Sequence, residues 1–282
     1  MEITKYDHNN KSLDNVNLPV SLRIITFGYS FNQALTNISY LNNIHTIIFG
    51  ECFNQPAHKI ILPSSVQILT LGYKFNEPVD KFNLPTSLYS ITFGNDFNQC
   101  IDKINFRMSF NKELNKYESI SDLQIITFGY KFNRTLDNVN FPESLKSIIF
   151  GHDYNKSIDK ICFPKNLESI HFGSNFNLSI DKVHFPANFK AMSFGHYYNQ
   201  PVNNIKFPKN MSIVTFGFKF NQSLDNLPYS IENLVFHVIN MNISNLPYSL
   251  KQIKIYDKLE ESIKKIARIP FGCVIVDEHD KI

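Results

Sequence analysis

Cysteine, net charge and long apolar stretches are all scarce in this sequence. The four cysteines, Cys52, Cys100, Cys162 and Cys273, show no C-x-x-C spacing, which argues against both a zinc site and a disulfide framework. The formal net charge is only +3, and the chain lacks the concentrated basic patch typical of nucleic-acid-binding proteins. We therefore expect reduced thiols, no metal and no nucleic-acid partner.

Signals for membrane insertion or secretion are also missing. The longest apolar runs are far shorter than the roughly 18 residues that a membrane-spanning helix needs, and the first residues contain no apolar signal region. Hydrophobic residues nevertheless make up 43% of the chain, enough to build a packed core. The sequence thus predicts a cytoplasmic protein with no membrane partner, and a nuclear location stays open.

Motifs of the common catalytic and cofactor sites do not occur. We find no G-x-S-x-G, P-loop, H-E-x-x-H or G-x-G-x-x-G pattern. Acidic and basic residues recur along the chain instead of gathering at one unusual place, where a catalytic site is expected. We predict no catalytic residue, no cofactor and no enzyme activity.

An internal repeat dominates the chain. Nine of the 10 glycines lie in an aliphatic-x-Phe-Gly-x-x-aromatic-Asn phrase, in which Leu71 replaces Phe once. Successive copies are 22 residues apart, apart from one interval of 35, and the glycines are Gly28, Gly50, Gly72, Gly94, Gly129, Gly151, Gly173, Gly195 and Gly217. A fixed period of this length indicates a solenoid, in which each coil contacts only its neighbours.

The repeat also predicts the type of solenoid. Leu145, Ile148 and Phe150 have the L-x-x-L-x-L spacing that turns the apolar side of a short strand inward in leucine-rich repeats (LRRs). A 22-residue period leaves no room for a crossover helix of about 10 residues besides the strand and its turns. The glycine ends the strand, where a positive φ or a close backbone approach favours it. We predict an all-β-rich, LRR-like stack of about eleven 22-residue coils, counting two shortened ones, with little helix.

Three segments depart from the repeat. Residues 1–11 and 257–282 are expected to cap a solenoid that spans residues 12–256, since open ends expose the core. In the C-terminal cap, Asp257 is expected to N-cap a short helix, and a strand is expected over residues 269–276. An insertion near residues 107–119 contains the apolar residues Met108, Phe110, Leu114 and Tyr117. We expect a loop there, which either contacts a partner or is a tolerated decoration.

An asparagine follows each repeat glycine by four residues. These residues are Asn32, Asn54, Asn76, Asn98, Asn133, Asn155, Asn177, Asn199 and Asn221. We interpret them as an inward structural ladder that hydrogen-bonds turn backbone groups of its own and neighbouring coils. Asn133, Asn155, Asn177 and Asn221 also match the N-x-S/T glycosylation pattern. The missing secretory signal and the expected burial favour the structural role.

The Phe-Gly-x-x-Phe-Asn phrase and the Leu-Pro-x-Ser-Leu phrase, the latter at residues 84–88, resemble the FNIP repeat. This is an LRR-like family of amoebae and of their large DNA viruses, and the likeness spans about residues 12–255. It implies a protein-binding role, in the host cytoplasm if the chain is viral. Many members carry an N-terminal F-box that makes the repeats the substrate reader of a ubiquitin ligase. About a dozen residues precede the first repeat here, so this expectation is weaker.

Chemical variety is concentrated in the two positions that follow each repeat glycine. We predict partner contacts there from Tyr29, Tyr73, Lys74, Tyr130, Lys131, His152, His196, Tyr197 and Phe218. Exposed aromatic residues on a rigid frame are enriched at binding hot spots, although partly packed strand-end aromatics would give the same pattern. His152, His171 and His196 occupy different phases or distant coils, which disfavours a shared zinc ion.

These patterns together predict a non-enzymatic protein–protein interaction scaffold that binds a protein partner through its concave strand face. The alternative is a substrate-recognition subunit associated with a ubiquitin ligase despite the lack of an F-box. Self-association through exposed solenoid ends is a further possibility.

Overall fold

The computed structural model describes residues 4–6, 10–13, 16–36, 38–104, 106, 109–111, 116–118 and 122–281. For residues 4–6, 109–111 and 116–118 it describes the backbone alone. The chain divides into two compact units, Met1–Gly151 and His152–Ile282.

The first unit is a stack of short strands, most of them contributed one per coil. The strands are β1 (Thr4–Tyr6), β2 (Ile24–Phe27), β3 (Thr46–Ile48), β4 (Ile68–Thr70), β5 (Ser90–Thr92), β6 (Ser109–Asn111), β7 (Lys116–Glu118), β8 (Ile125–Thr127) and β9 (Ser147–Ile149), with a 3₁₀ turn at Ala57–Lys59. All except β6 and β7 pair in parallel, in the order β1-β2-β3-β4-β5-β8-β9. The register advances by whole repeats, so that Leu69 lies between Ile47 and Ile91.

Within the insertion, for which the sequence predicts a loop, two short strands form a hairpin. Strands β6 and β7 pair antiparallel with each other, while β5 pairs directly with β8 in repeat register. The 13 extra residues therefore leave the stack uninterrupted, because β6 and β7 pair with each other and not with β5 or β8. Met108 and Leu114 lie outside the described residues.

The second unit continues the same plan. Its elements are β10 (Ser169–His171), β11 (Ala191–Ser193), β12 (Ile213–Phe216), β13 (Asn233–Phe236), β14 (Gln252–Ile255), helix α1 (Leu259–Ile263) and β15 (Val274–Val276). The strands pair in parallel in chain order. The predicted LRR-like solenoid of about eleven coils with little helix is confirmed.

Residues 257–282 depart from the prediction in detail. The residue that precedes α1 is Lys258, in the left-handed conformation, and Asp257 accepts a hydrogen bond from the Lys258 N–H instead of capping the helix. The buried helical residue is Ser262, whose hydroxyl accepts a hydrogen bond from the Ile239 N–H at 3.2 Å. The last strand covers only Val274–Val276, because residues 270–273 form a turn closed by the bond from Cys273 N–H to Pro270 O.

Columns of stacked aromatic rings fill the core of both units. In the first unit, Phe93 and Phe97 of one coil have ring centroids 4.4 Å apart. They stack on Phe128 and Phe132 of the next coil at 5.7 and 6.0 Å, with ring planes within 8° of parallel. Each stacked pair contributes about 0.5–1.5 kcal/mol beyond burial. The phenylalanines on either side of the repeat glycine thus fix the register of coil on coil.

Close backbone approach explains the repeat glycines. A Cβ atom built on Gly94 would lie 1.9 Å from the carbonyl oxygen of Gly72, and one on Gly151 would lie 1.7 Å from that of Gly129. Among the described glycines only Gly272, outside the repeat phrase, has a positive φ. The sequence is compatible with either a positive φ or a close backbone approach at these glycines. The structure shows that the close approach is the cause, because it leaves no room for a side chain.

Substituting Gly94 tests this packing. We expect Gly94→Ala to lower the free energy of unfolding by about 2–3 kcal/mol, because the added methyl group overlaps a neighbouring backbone carbonyl. Urea unfolding of the full chain measures the effect. The matched control is Asn95→Ala, an exposed neighbour, and equal midpoints for the two variants would contradict the packing argument.

A second substitution tests the aromatic column. Tyr198 is fully buried, and its hydroxyl has no hydrogen-bond partner among the described residues. Burial, and then the charge of Asp181, raise the pKa of Tyr198 above its usual range, so the group stays neutral. We expect Tyr198→Phe to raise the free energy of unfolding by about 1 kcal/mol, since it removes a buried unpaired polar group.

The reverse change at the adjoining coil is its control. Phe176 stacks on Tyr198 with ring centroids 6.0 Å apart and is equally buried. Phe176→Tyr should lower stability in the same urea experiment. A loss of stability in Tyr198→Phe would show that the hydroxyl is hydrogen-bonded.

Candidate functional site

The strand-end band consists of the two residues after each repeat glycine, such as Tyr73 and Lys74. Its backbone is bonded from coil to coil: the Lys74 N–H donates to Glu51 O and the Asp96 N–H to Tyr73 O, both at 2.8 Å. In the second unit the Tyr197 N–H donates to Ser174 O at 2.9 Å in the same way. The band therefore holds its side chains on a backbone that is fixed independently of their chemistry.

The repeated asparagines run beside this band. The Asn76 N–H donates to Asn54 Oδ1 at 2.8 Å, and the Asn98 N–H donates to Asn76 Oδ1 at 2.8 Å. In the second unit the Asn221 N–H donates to Asn199 Oδ1 at 2.8 Å. Each side chain thus accepts a hydrogen bond from the backbone of the next coil. Sequence reasoning missed the first member, Asn10, whose Oδ1 accepts from the Asn32 N–H.

The predicted inward position of this ladder is wrong. Asn32, Asn54, Asn98, Asn133, Asn177 and Asn199 are half-buried, while Asn76, Asn155 and Asn221 are exposed. The preceding aromatic ring points into the core, so the asparagine after it points outward and lies along the surface. Burial therefore gives no reason against the glycosylation alternative.

In the first unit the predicted contact residues are exposed tyrosines and two lysines, Lys74 and Lys131, which line a polar groove. Tyr29, Tyr73 and Tyr130 are 50%, 46% and 47% exposed and alternate with Glu51 and Asn95 in successive coils. Lys131 Nζ forms an ion pair with Asp96 Oδ1 at 2.8 Å. A shallow cavity of about 740 Å³ lies between the band and the ladder, lined by Cys52, Lys74, Asp96, Lys131, Asn32, Asn54, Asn76 and Asn98.

In the second unit the band is richer in contacts between its own side chains. His152 Nδ1 lies 2.7 Å from Asp153 Oδ1, and Asn175 Nδ2 donates to the same oxygen at 3.1 Å. The His196 ring stacks on Phe218 with centroids 5.3 Å apart. Phe218 is half-buried, whereas His196 and Tyr197 are exposed. In the second unit, side chains of the band therefore contact one another, and some of them are also exposed to solvent.

Sequence reasoning missed two aromatic residues next to the band, His237 and Tyr256, which occupy the glycine position in the shortened coils. Phe216 pairs in register with Phe236, and Phe236 with Ile255, so His237 and Tyr256 continue the phase of Gly217. Their rings lie 5.3 Å apart. The glycine pattern does not find them because the shortened coils lack glycine, but the strand register does.

Three imidazoles line a shallow cavity of about 480 Å³ in the second unit: His152, His196 and His237. His171 lies in strand β10, exposed. No group of three or more His, Cys, Asp or Glu side chains with metal-binding geometry occurs within the part of the chain that the structure describes. The four cysteines are unpaired.

Comparison with known proteins identifies the repeat. A family model described as FNIP Repeat matches residues 8–52, 42–74, 53–96, 75–106, 110–153, 132–175 and 154–190. Among solved structures, CroV588, described as a novel circular LRR protein, is similar with 26% identity and a TM-score of 0.67. The alignment covers 97% of this chain and 43% of CroV588, so the chain spans less than half the length of that protein.

Two other solved structures are more distant. The pneumococcal vaccine antigen PcpA has 14% identity and a TM-score of 0.26, over 93% of this chain and 69% of its own. An LRR protein of Bacteroides ovatus has 10% identity and a TM-score of 0.18, over 97% and 82%. No curated protein matches the chain, and no described helix is long and apolar enough to cross a membrane.

Asn76 offers a test of the ladder. Its Oδ1 accepts from the Asn98 N–H and from Gln99 Nε2. We expect Asn76→Ala to lower the free energy of unfolding by about 1 kcal/mol, because the Asn98 N–H loses its acceptor and Gln99 Nε2 keeps only the backbone carbonyl of residue 76. Asn76→Asp is the matched control, since it keeps the acceptor oxygen and should retain most of the stability. Urea unfolding midpoints compare them, and similar losses in both variants would contradict a hydrogen-bonding role.

Proposed function

Because the chain belongs to the FNIP repeat family, we propose that it is a non-enzymatic scaffold that binds a protein partner through the strand-end band and the adjoining strand face. The repeat units supply a stiff frame, and the band supplies the recognition chemistry. Such a division of roles is typical of solenoid proteins.

The observation that carries this proposal is the contrast between a constant backbone and variable side chains in the band. The same inter-coil bond recurs from Cys52 N–H to Tyr29 O and from Lys74 N–H to Glu51 O, although the side chains change from thiol to amine and from phenol to carboxylate. A position that only maintained the fold would have no physical need for such variety. We infer that this variety serves recognition.

The exposed tyrosines of the first unit suit this role energetically. Each keeps about half of its surface open to solvent, so a partner can bury that area on binding. Tyrosine is enriched among residues that dominate binding energy, and it loses few rotamers when it is fixed. Because the backbone beneath is already ordered, little further ordering cost is expected on association.

The proposal excludes an enzyme for a physical reason. The acidic, basic and amide groups of the band are spread over successive coils on an open surface, whereas a catalytic site needs a singular cleft that excludes water. The ubiquitin-ligase alternative stays a prediction, because no feature of the described residues bears on it.

The test is affinity capture followed by mass spectrometry, comparing the unmodified chain with the Tyr73→Ala, Tyr130→Ala double variant. Both tyrosines belong to the first unit and are exposed, so folding should be preserved, which circular dichroism checks. We expect a specific protein to be captured by the unmodified chain and reduced about tenfold or more with the variant, as loss of two hot-spot side chains implies.

A matched control replaces Tyr40 and Tyr89, which are exposed to similar extents, 48% and 40%, outside the band. That double variant should retain the partner. Equal capture by all three proteins would contradict a role for the band, and the absence of any specific partner would contradict the scaffold proposal itself.

A further inference from the structure

The last three prolines of the chain share a feature that the other ten lack. Each is followed by an aromatic residue, in the pairs Pro228-Tyr229, Pro247-Tyr248 and Pro270-Phe271. At the other prolines the next residue is small, aliphatic or charged, as in Pro142-Glu143 and Pro164-Lys165. The three pairs precede strands β13, β14 and β15.

Turn geometry directs all three rings outward. Each proline carbonyl accepts a hydrogen bond from the N–H three residues later, at Ile231, Leu250 and Cys273. The aromatic residue therefore occupies the second position of a four-residue turn, at its corner. Tyr229 and Tyr248 are 76% and 77% exposed, and Phe271 is fully exposed. These are the most exposed large apolar side chains among the described residues.

The rings border one cleft in the second unit, which we call the proline cleft. It has a volume of about 630 Å³, and Leu227, Leu246 and the three prolines contribute an apolar surface to it. Among the described residues, Tyr229, Tyr248 and Phe271 form no ring contact with one another. These rings are therefore not stacked on one another, in contrast to the closely stacked phenylalanines of the core.

The proline cleft is lined by one acidic and one basic side chain, Asp225 and Arg268. Asp225, at one side, accepts hydrogen bonds from Ser223 Oγ at 2.7 Å and Asn245 Nδ2 at 2.9 Å, and these two bonds lower the pKa of its carboxyl group. Arg268 also lines the cleft. Its guanidinium forms neither an ion pair nor a hydrogen bond within the described residues. Asp225 therefore stays ionised, but its carboxylate already accepts two hydrogen bonds, whereas the donors of the Arg268 guanidinium are unused by the described residues. The charged group with hydrogen-bonding capacity left for a ligand is thus the guanidinium.

We propose that the proline cleft binds a proline-rich peptide segment that carries an acidic residue. Polyproline II segments have three residues per turn and dock in grooves lined by aromatic side chains. Their pyrrolidine rings pack against exposed aromatic rings and aliphatic side chains, and Tyr229, Tyr248 and Phe271 supply such rings beside Leu227 and Leu246. The planar guanidinium of Arg268 matches a carboxylate in bidentate geometry.

This site is distinct from the strand-end band. The proline cleft lies before the amino ends of β13 to β15, whereas the band follows the carboxyl ends of the strands. A partner bound at one surface therefore leaves the other accessible. Variants of the two surfaces can fail separately, so that failure of this inference is distinguishable from failure of the proposed function.

Fluorescence anisotropy with the full chain tests the proposal. The probe is a labelled peptide of eight prolines followed by two glutamates, compared with one in which lysines replace the glutamates and one in which glycine and serine replace the prolines. We expect the proline–glutamate peptide to bind at least about tenfold more tightly than either, as one lost charge pair or the loss of the pre-ordered helix implies. Equal affinities, or no binding at millimolar peptide, would overturn the proposal.

Variants then assign the binding to the cleft. Tyr248→Ala should weaken binding about tenfold, whereas Tyr248→Phe should retain it, and Tyr40→Ala, an exposed tyrosine of the first unit, should have no effect. Arg268→Glu should reverse the preference in favour of the lysine peptide. An unchanged preference would overturn the role of Arg268.

Two competing occupants give different results. If soluble glucan oligosaccharides bind in a Tyr248-dependent manner and displace the peptide, the cleft is a sugar site. If the mass in solution falls from dimer to monomer in Tyr248→Ala, a second copy of the chain occupies the cleft. Either result would overturn the peptide proposal.

Discussion

The rest of this structure depends on the close approach of one coil to the next at the repeat glycine. There the carbonyl oxygen of one glycine fills the space in which a side chain of the next would lie, as between Gly72 and Gly94. That approach brings the strands into hydrogen-bonding register and lets the flanking phenylalanines stack ring on ring at about 6 Å. Because stability in such stacks is a sum of neighbouring-coil terms, one contact repeated in phase supports each unit.

The same constraint separates structural positions from free ones. Side chains of Phe97 and Phe132 are committed to the core, and the Oδ1 atoms of Asn76 and Asn98 are committed to the backbone of the next coil. The two residues between glycine and aromatic have their backbone bonded from coil to coil, whereas their side chains differ in chemistry from one coil to the next. Substitutions at these positions cost little stability. Residues that recognise a partner can therefore occur in the strand-end band without disturbing the stack.

The shortened coils near the end of the chain also tolerate changes in sequence. In the last coils the phrase loses its glycine, and His237 and Tyr256 follow the strands in its place. The turns before those strands gain aromatic corners, so that the strands of the second unit have distinct surfaces at their two ends. Residues that would break the pattern of a regular coil are tolerated in these last coils, where the repeat pattern is already incomplete.

The sequence by itself determined the solenoid, its period and its strands, because glycine, proline, phenylalanine and asparagine recur at fixed spacing and each has one dominant physical role. It also located the hydrogen-bonding asparagines, but not their direction, since period alone does not distinguish an inward ladder from one lying along the surface. Only the tertiary structure decided that Asn76 is exposed, that the insertion folds into a hairpin, and that Tyr229, Tyr248 and Phe271 meet at one cleft. Those outcomes depend on which groups approach across coils, and spacing along the chain does not encode distances between side chains that are 19 or more residues apart.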